Sequence, residues 1–306
     1  MSGKAETTSV YARITEEIIK AIKAGAKEYE MPWHRAASSG MPRNALTGKT
    51  YQGVNIIALW AASQLQGYPK PIWASYLQWA QMGAQVRKGE KSSTIVYYKP
   101  GVVSNHGEME DEDKNMTRAI LLKSAIFNIA QVEGYCCQEP EREDKTRCIE
   151  RIDAFVEALG VEILYGRSIA AYNPVRDYIL MPNQEEFIST STRDATEGYY
   201  SVLLHEHVHW SGHPTRLDRD LSGRFGSEAY AMEELIAELG AAFLCAELGI
   251  SVQVRHDHAT YVSNWLTVLG NDDRAIFVAA GMASKACQFL SSEVAQSVAQ
   301  TLDATS

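Results

Sequence analysis

The stretch His205-Glu206-His207-Val208-His209 constrains this chain more than any other, because its spacing makes chemical sense only on a helix. Residues four apart share a helix face, so His205 and His209 would project their imidazoles together at the spacing two nitrogens need to hold one zinc ion. Glu206 lies about 100° further round, where it can reach a water beside the metal rather than the metal itself. The flanks suit a buried helix: Val202, Leu203 and Leu204 precede the motif, and Gly212 follows where it can end the helix. His207 points away from that face, and it reads with His213, His256 and His258 as a surface residue. A catalytic zinc site needs a third protein ligand and one open position, so the chain must fold another donor back over His205 and His209.

The segment Met232–Leu244 supplies candidates. It reads as a second helix, apolar on one side and acidic on another, with Glu234 and Glu238 four apart on one face. Spacing alone leaves Glu233, Glu234 and Glu238 open as ligands, depending on how the helix is rotated. The arrangement resembles the gluzincins, in which a glutamate on a following helix completes a His-His-Glu site and a carboxylate one turn later orients a ligand histidine. By that resemblance Glu234 is the third ligand and Glu238 the partner of a histidine N–H, as metal-bound imidazoles require. The ion implied is Zn2+, with another divalent ion such as Mn2+ compatible, and Glu206 becomes the general base.

A length of 306 residues predicts two domains. No apolar run approaches the ~18 residues of a membrane span, and the first eight residues lack the apolar core of a signal peptide. Five cysteines, odd in number and without a C-x-x-C pair, suit the reduced thiols of a cytoplasmic protein. The net charge of −9 hides an asymmetry: residues 1–100 carry +7, whereas residues 136–306 carry −13. A basic half joined to an acidic half suggests that only the first meets a polyanion.

The pattern along the chain is α+β. It predicts a helix over Val10–Lys23 with Tyr11, Ile14, Ile18 and Ile22 as its apolar stripe, an interruption at Met31-Pro32-Trp33, a turn over Leu46–Tyr51, and helices at Val54–Gln64 and Ser75–Met82. A charged turn, Arg87–Lys91, enters a strand at Thr94–Tyr98, which pairs across a solvated acidic loop (residues 108–113) with a strand at Ala119–Ile129. The division expected is residues 1–137 as a mixed α/β domain, 138–148 as a polar linker and 149–306 as a second domain, with the halves separable near residue 145. The second domain is read as a helix at Ile149–Leu159, strands at Glu162–Tyr165, Ala170–Tyr172 and Tyr178–Pro182, then the motif helix. A strand beside that cleft would offer its edge to an extended peptide.

In the first half, cations and aromatic rings interleave. Cations neutralise phosphates and exposed rings stack on unpaired bases, at about 1–3 kcal/mol per base, so the pattern fits a single-strand platform without a sequence code. The candidate contacts are Arg43, Lys49, Tyr51, Trp73, Arg87, Lys88 and Lys91.

Three stretches, Thr47–Asn55, Gly83–Lys91 and Ile126–Gln131, resemble the N-terminal domain of ArdC-type antirestriction proteins, related to domains of plasmid TraC-type primases. The second half, with Tyr172-Asn173-Pro174, Asp177, Met181-Pro182, His205 to Gly212 and Glu233-Glu234-Leu235, is similar to the zincin-like, gluzincin-type metallopeptidase domain of that family. The resemblance implies a plasmid-borne cytoplasmic protein that binds single-stranded DNA and helps conjugative DNA evade restriction, with a restriction subunit or another DNA-bound host protein as the substrate of a zinc peptidase. The alternatives are a protein that only shields DNA, its metal being non-catalytic, and, with less support from a His-His-Glu set, a metal-dependent nuclease.

Overall fold

In the computed structural model, described for residues 9–25, 31–37, 39–100, 119–136, 144–189, 194–224, 227–252 and 258–304, the first half is a four-stranded sheet wrapped by helices. The sheet is ordered β1 (Arg43–Asn44), β2 (Ile72–Ser75), β5 (Ala119–Asn128), β4 (Ser93–Pro100). The long β4–β5 pair is antiparallel with Ser93 opposite Ile126, as the alternation predicts; the acidic run joining the two strands lies outside the described residues. β2, a four-residue strand too short to show a period in the sequence, is held between β1 and β5. Side chains alternate faces along a strand. Ile72 and Ala74 therefore pack with Trp79 of α4 (Tyr76–Gln81) on one side, and Trp73 packs with Leu59 of α3 (Val54–Gln66) and Ile126 on the other.

Local chemistry sets the helix ends. The Ser75 hydroxyl accepts the Gln78 N–H while Gln78 returns a bond to the Ser75 amide, a capping box that starts α4. A small two-stranded pair, β3 (Gln85–Val86) with β6 (Val132–Glu133), flanks the charged turn. Helix α1 (Val10–Gly25) buries Ile14, Ile18 and Ile22 as expected. Met31-Pro32-Trp33 does not interrupt the chain but opens a short helix, α2 (Pro32–Ala37), because proline at the first helical position gives up no needed N–H.

The second half begins with α5 (Lys145–Leu159), capped by Asp144, so the last four residues of the expected linker form its first turn. A three-stranded sheet follows, ordered β7 (Ile163–Leu164), β9 (Tyr178–Leu180), β8 (Ala171–Asn173), which leaves β8 on an edge. Then come α6 (Ala195–Ser211), α7 (Glu228–Leu248), α8 (His258–Asn271) and α9 (Ala275–Ala304). Helix α7 is buried nearly all round and packs against α2, α5, α6, α8 and α9. It is the axle of the molecule.

The two halves are not merely tethered. One apolar cluster runs from Ile14, Trp33 and Trp60 of the first half to Phe243, Trp265 and Leu290 of the second. The rings of Trp33 and Trp265 lie 6.1 Å apart, and those of Trp60 and Phe243 5.7 Å.

Helices α6 and α7 cross closely because Gly240 has no side chain. A Cβ there would lie 2.8 and 2.9 Å from the two methyls of Val208, a stiff β-branched residue on α6. Ala normally stabilises a helix interior by about 1 kcal/mol relative to Gly. Here Gly240→Ala should do the reverse, losing about 1–3 kcal/mol through overpacking, measured as a lower midpoint in denaturant unfolding.

Candidate metal centre

Asp194 starts α6 by accepting the Thr196 and Glu197 amides, and Ser227 starts α7 by accepting the Tyr230 amide. With both helices fixed, His205, His209 and Glu234 converge, their ligand atoms all within 4.8 Å of one another. The two Nε2 atoms are 3.1 Å apart; Glu234 Oε2 lies 3.6 Å from His205 Nε2, and Glu234 Oε1 lies 3.6 Å from His209 Nε2. Ligands at the ~2.0–2.1 Å bond length of tetrahedral zinc stand about 3.3 Å from each other, so the spacing suits one small divalent ion.

The tautomers point the same way. His209 Nδ1 faces Glu233 Oε1 at 3.1 Å, and a carboxylate can only accept, so the ring proton sits on Nδ1 and the Nε2 lone pair faces the site. Burial disfavours the imidazolium of His209, but the bond it donates to Glu233 and the charges of Glu234, Glu233 and Glu206 outweigh that cost and raise its pKa. His205 Nδ1 is buried without a hydrogen bond and has Glu238 Oε2 at 3.7 Å. The His209 Nε2 lone pair, the His205 Nε2 atom and the Glu234 carboxylate thus face one another across a small gap, a donor set that favours a cation.

Of the three carboxylates left open by the spacing, the structure turns Glu234 toward both Nε2 atoms, Glu238 toward His205 Nδ1 and Glu233 toward His209 Nδ1. Neither this part of Glu233 nor its partner Arg219 is signalled by spacing in the sequence. Burial raises the Glu233 pKa, but bonds from His209 and Arg219 reverse the shift and leave it lowered, hence ionised at neutral pH. The Arg219 Nε and Nη2 atoms meet the two Glu233 oxygens at 3.0 and 2.9 Å. Room for that guanidinium explains Gly212. Its φ is −81°, not the left-handed value of a glycine cap, and a Cβ there would lie 2.8 Å from Arg219 Nη2. Glu233→Gln should therefore weaken metal binding about 10–100-fold, read by competition with a chelating dye, with the helical circular dichroism retained.

Glu206 is 2% exposed and lines the cleft beside His205, His209 and Glu234, together with Tyr172, Asp220 and Tyr230. Its Oε2 accepts the Tyr172 N–H at 2.7 Å. Edge strand β8 does run along the cleft, but this central amide is spent on orienting Glu206 rather than left for a peptide. The turn after β8 is braced from the end of α6. Arg216 stacks 3.9 Å over the Trp210 ring and donates to Asp177 and to the Tyr172 hydroxyl, holding the Asp177 carboxyl below its usual range.

His207 is not a surface residue. It is fully buried, its Nδ1 bonds the Leu203 carbonyl at 2.8 Å, and burial pushes its pKa down to about 4. His213 lies outside the ligand set and bonds Thr215. His256 falls outside the described residues.

The nucleic-acid candidates divide. Lys49, Arg87, Lys88 and Lys91 are exposed, and Arg43 and Tyr51 are half-buried. Arg87 is partly engaged, with Nη2 2.7 Å from Glu90 and 2.6 Å from the Ala130 carbonyl, so it braces the turn that displays Lys88. Trp73 is wholly buried against Tyr68 and Leu59 and cannot stack on a base in this fold. Trp33, Trp60 and Trp79 are buried as well, whereas Tyr76 and Tyr97 are each about half exposed and Tyr51 and Tyr68 are partly so.

Comparison with known proteins matches a different domain family to each half. Residues 8–128 match the N-terminal domain of the anti-restriction factor ArdC, and residues 150–282 match the zincin-like metallopeptidase family. A protein of Sinorhizobium fredii described as uncharacterized protein y4eC is 45% identical over 288 residues, 92% of either chain. DNA primase TraC of Escherichia coli is 37% identical over 92% of this chain, but the matched part is 27% of that longer protein. Crystal structures of the antirestriction ArdC protein from the R388 plasmid, metal-free and Mn(II)-bound, superpose with TM-scores of 0.73 and 0.74 at 35% identity. Each match covers 94% of this chain and 98% of the other. With the two domain matches in the same order and one fold shared from end to end, the chain belongs to the ArdC family of antirestriction proteins.

Proposed function

We propose that the chain protects incoming DNA from restriction in the cytoplasm, that its first half binds single-stranded DNA, and that its second half is a divalent-metal hydrolase acting on a protein. The observation that carries this reading is the cleft in which His205, His209 and Glu234 present three donors beside Glu206. His205, His209 and Glu234 would hold the ion, zinc or manganese. When bound, it supplies Lewis-acid polarisation of a scissile carbonyl and acidifies water at its open position. Glu206, fixed by the Tyr172 amide, takes the proton of the attacking water and returns it to the leaving amine. Glu233 accepts from His209 Nδ1 at 3.1 Å, and the Glu238 carboxylate, 3.7 Å from His205 Nδ1, places a negative charge beside the other ring; both favour the tautomers whose Nε2 lone pairs face the cleft. No helix among the described residues is long and apolar enough to cross a membrane.

The DNA-binding part rests on the exposed basic turn. Lys88→Glu together with Lys91→Glu should lower affinity for a labelled oligonucleotide at least tenfold, and should flatten the dependence of log K on log salt by about 1.4 for two lost phosphate contacts on a single strand. Trp73→Phe should leave affinity unchanged. Binding indifferent to both lysines would move the DNA site elsewhere.

A further inference from the structure

Glu238 sits where the two halves of the chain meet. On one side its Oε2 lies 3.7 Å from His205 Nδ1. On the other, its Oε1 is 2.6 Å from His34 Nε2 and accepts the Trp33 Nε1–H at 3.3 Å. Both donors come from α2, which packs directly on α7. His34 is 4% exposed, and its Nδ1 accepts the Met31 amide at 3.1 Å. In the neutral ring the proton is therefore on Nε2, aimed at Glu238. A carboxylate buried to 4% exposure needs such donors, and their placement decides which of its oxygens is left to face His205.

We propose that His34 is a positioning residue of the metal centre. By donating to Glu238 Oε1 it keeps Oε2 turned toward His205 Nδ1, 3.7 Å away, where the negative charge favours the tautomer whose Nε2 lone pair faces Glu234 and His209. The half of the chain assigned to DNA thereby builds part of the metal site in the other half. This rests on reading His205, His209 and Glu234 as ligands.

Two substitutions separate positioning from packing. His34→Asn keeps an acceptor near the Nδ1 position for the Met31 amide but cannot reach Glu238. His34→Gln places an N–H near the Nε2 position and can. Zinc affinity of the full chain is measured by competition with a chromophoric chelator, and the melting temperature of the metal-free protein is followed in parallel. The expected result is a loss of about 10–100-fold for His34→Asn, with His34→Gln close to the unaltered chain and the two metal-free proteins melting alike. Equal affinities in the two variants, or a loss that tracks melting temperature, would overturn the role of His34 while leaving the metal reading intact. An unaltered chain that takes up no zinc or manganese would overturn the metal reading itself, and the proposal with it.

Discussion

Glu206→Gln should remove the protection of transferred DNA that depends on hydrolysis, while metal content and single-strand affinity stay at the level of the unaltered chain. The amide keeps the length of the side chain, and its Oε1 can still accept the Tyr172 N–H that Glu206 now accepts at 2.7 Å, so the cleft should not collapse. What disappears is the base. Loss of a positioned general base costs about 10²–10⁴ in rate, which in a transfer experiment is the difference between protection and none. The measurement is the survival of plasmid DNA entering a restricting host, made beside metal analysis of the purified variant. Full protection by a metal-loaded Glu206→Gln protein would dismiss the peptidase and leave a protein that coats DNA. Labelled single-stranded DNA should meanwhile remain uncut by the metal-loaded chain; cleavage would instead favour a nuclease.

The parts of this site that could be read from the chain are those a local period encodes. His205 and His209 are four apart on one helix, and Glu234 and Glu238 four apart on another, so each pair had to share a face once the helices existed. The lateral partners carry no such period. Arg219 lies 14 residues before Glu233 and His34 lies 204 before Glu238, and nothing in spacing links them. A physical signal was present nonetheless. Three glutamates within six residues on a helix otherwise as apolar as Leu235-Ile236-Ala237 must be buried with it, and buried carboxylates demand cations or N–H donors from somewhere. Buried carboxylates in such a helix require partners, though their spacing does not name them.

The basic half shows the opposite case. Composition found its cations, but the stacking candidate Trp73 depended on a strand too short to show a period. Once β2 lies between β1 and β5, alternate residues face α4 and α3, and both faces are covered. A tryptophan between two lysine-bearing segments looks exposed in sequence; in the fold it is core. His207 is core for a related reason: pointing away from the metal is not pointing into water when the motif helix is buried on both sides.

Cutting the chain between residues 136 and 144 should cost both halves their native state, against the expectation of two separable domains. Burial of a large apolar side chain contributes about 1.5–3 kcal/mol, and Trp33 and Trp60, wholly buried, each pack a ring against one of the second half, Trp265 and Phe243. Uncovering even part of that surface is a large fraction of the stability of an ordinary domain, about 5–15 kcal/mol. Polar ties cross the same boundary: the Thr15 hydroxyl donates to the Asp273 carbonyl at 2.7 Å, and the Gly53 amide to the Ser284 hydroxyl at 3.1 Å. Expressed alone, the second half would uncover Phe243 and Trp265 and lose both donors that α2 brings to Glu238. It should bind a hydrophobic dye, lose near-ultraviolet dichroism while keeping helical signal, and hold zinc at least tenfold more weakly than the full chain; mixing the halves should restore part of each. A second half that unfolds cooperatively and holds zinc like the full chain would show that the shared core is an interface between two finished domains, and the metal centre would then owe nothing to the first.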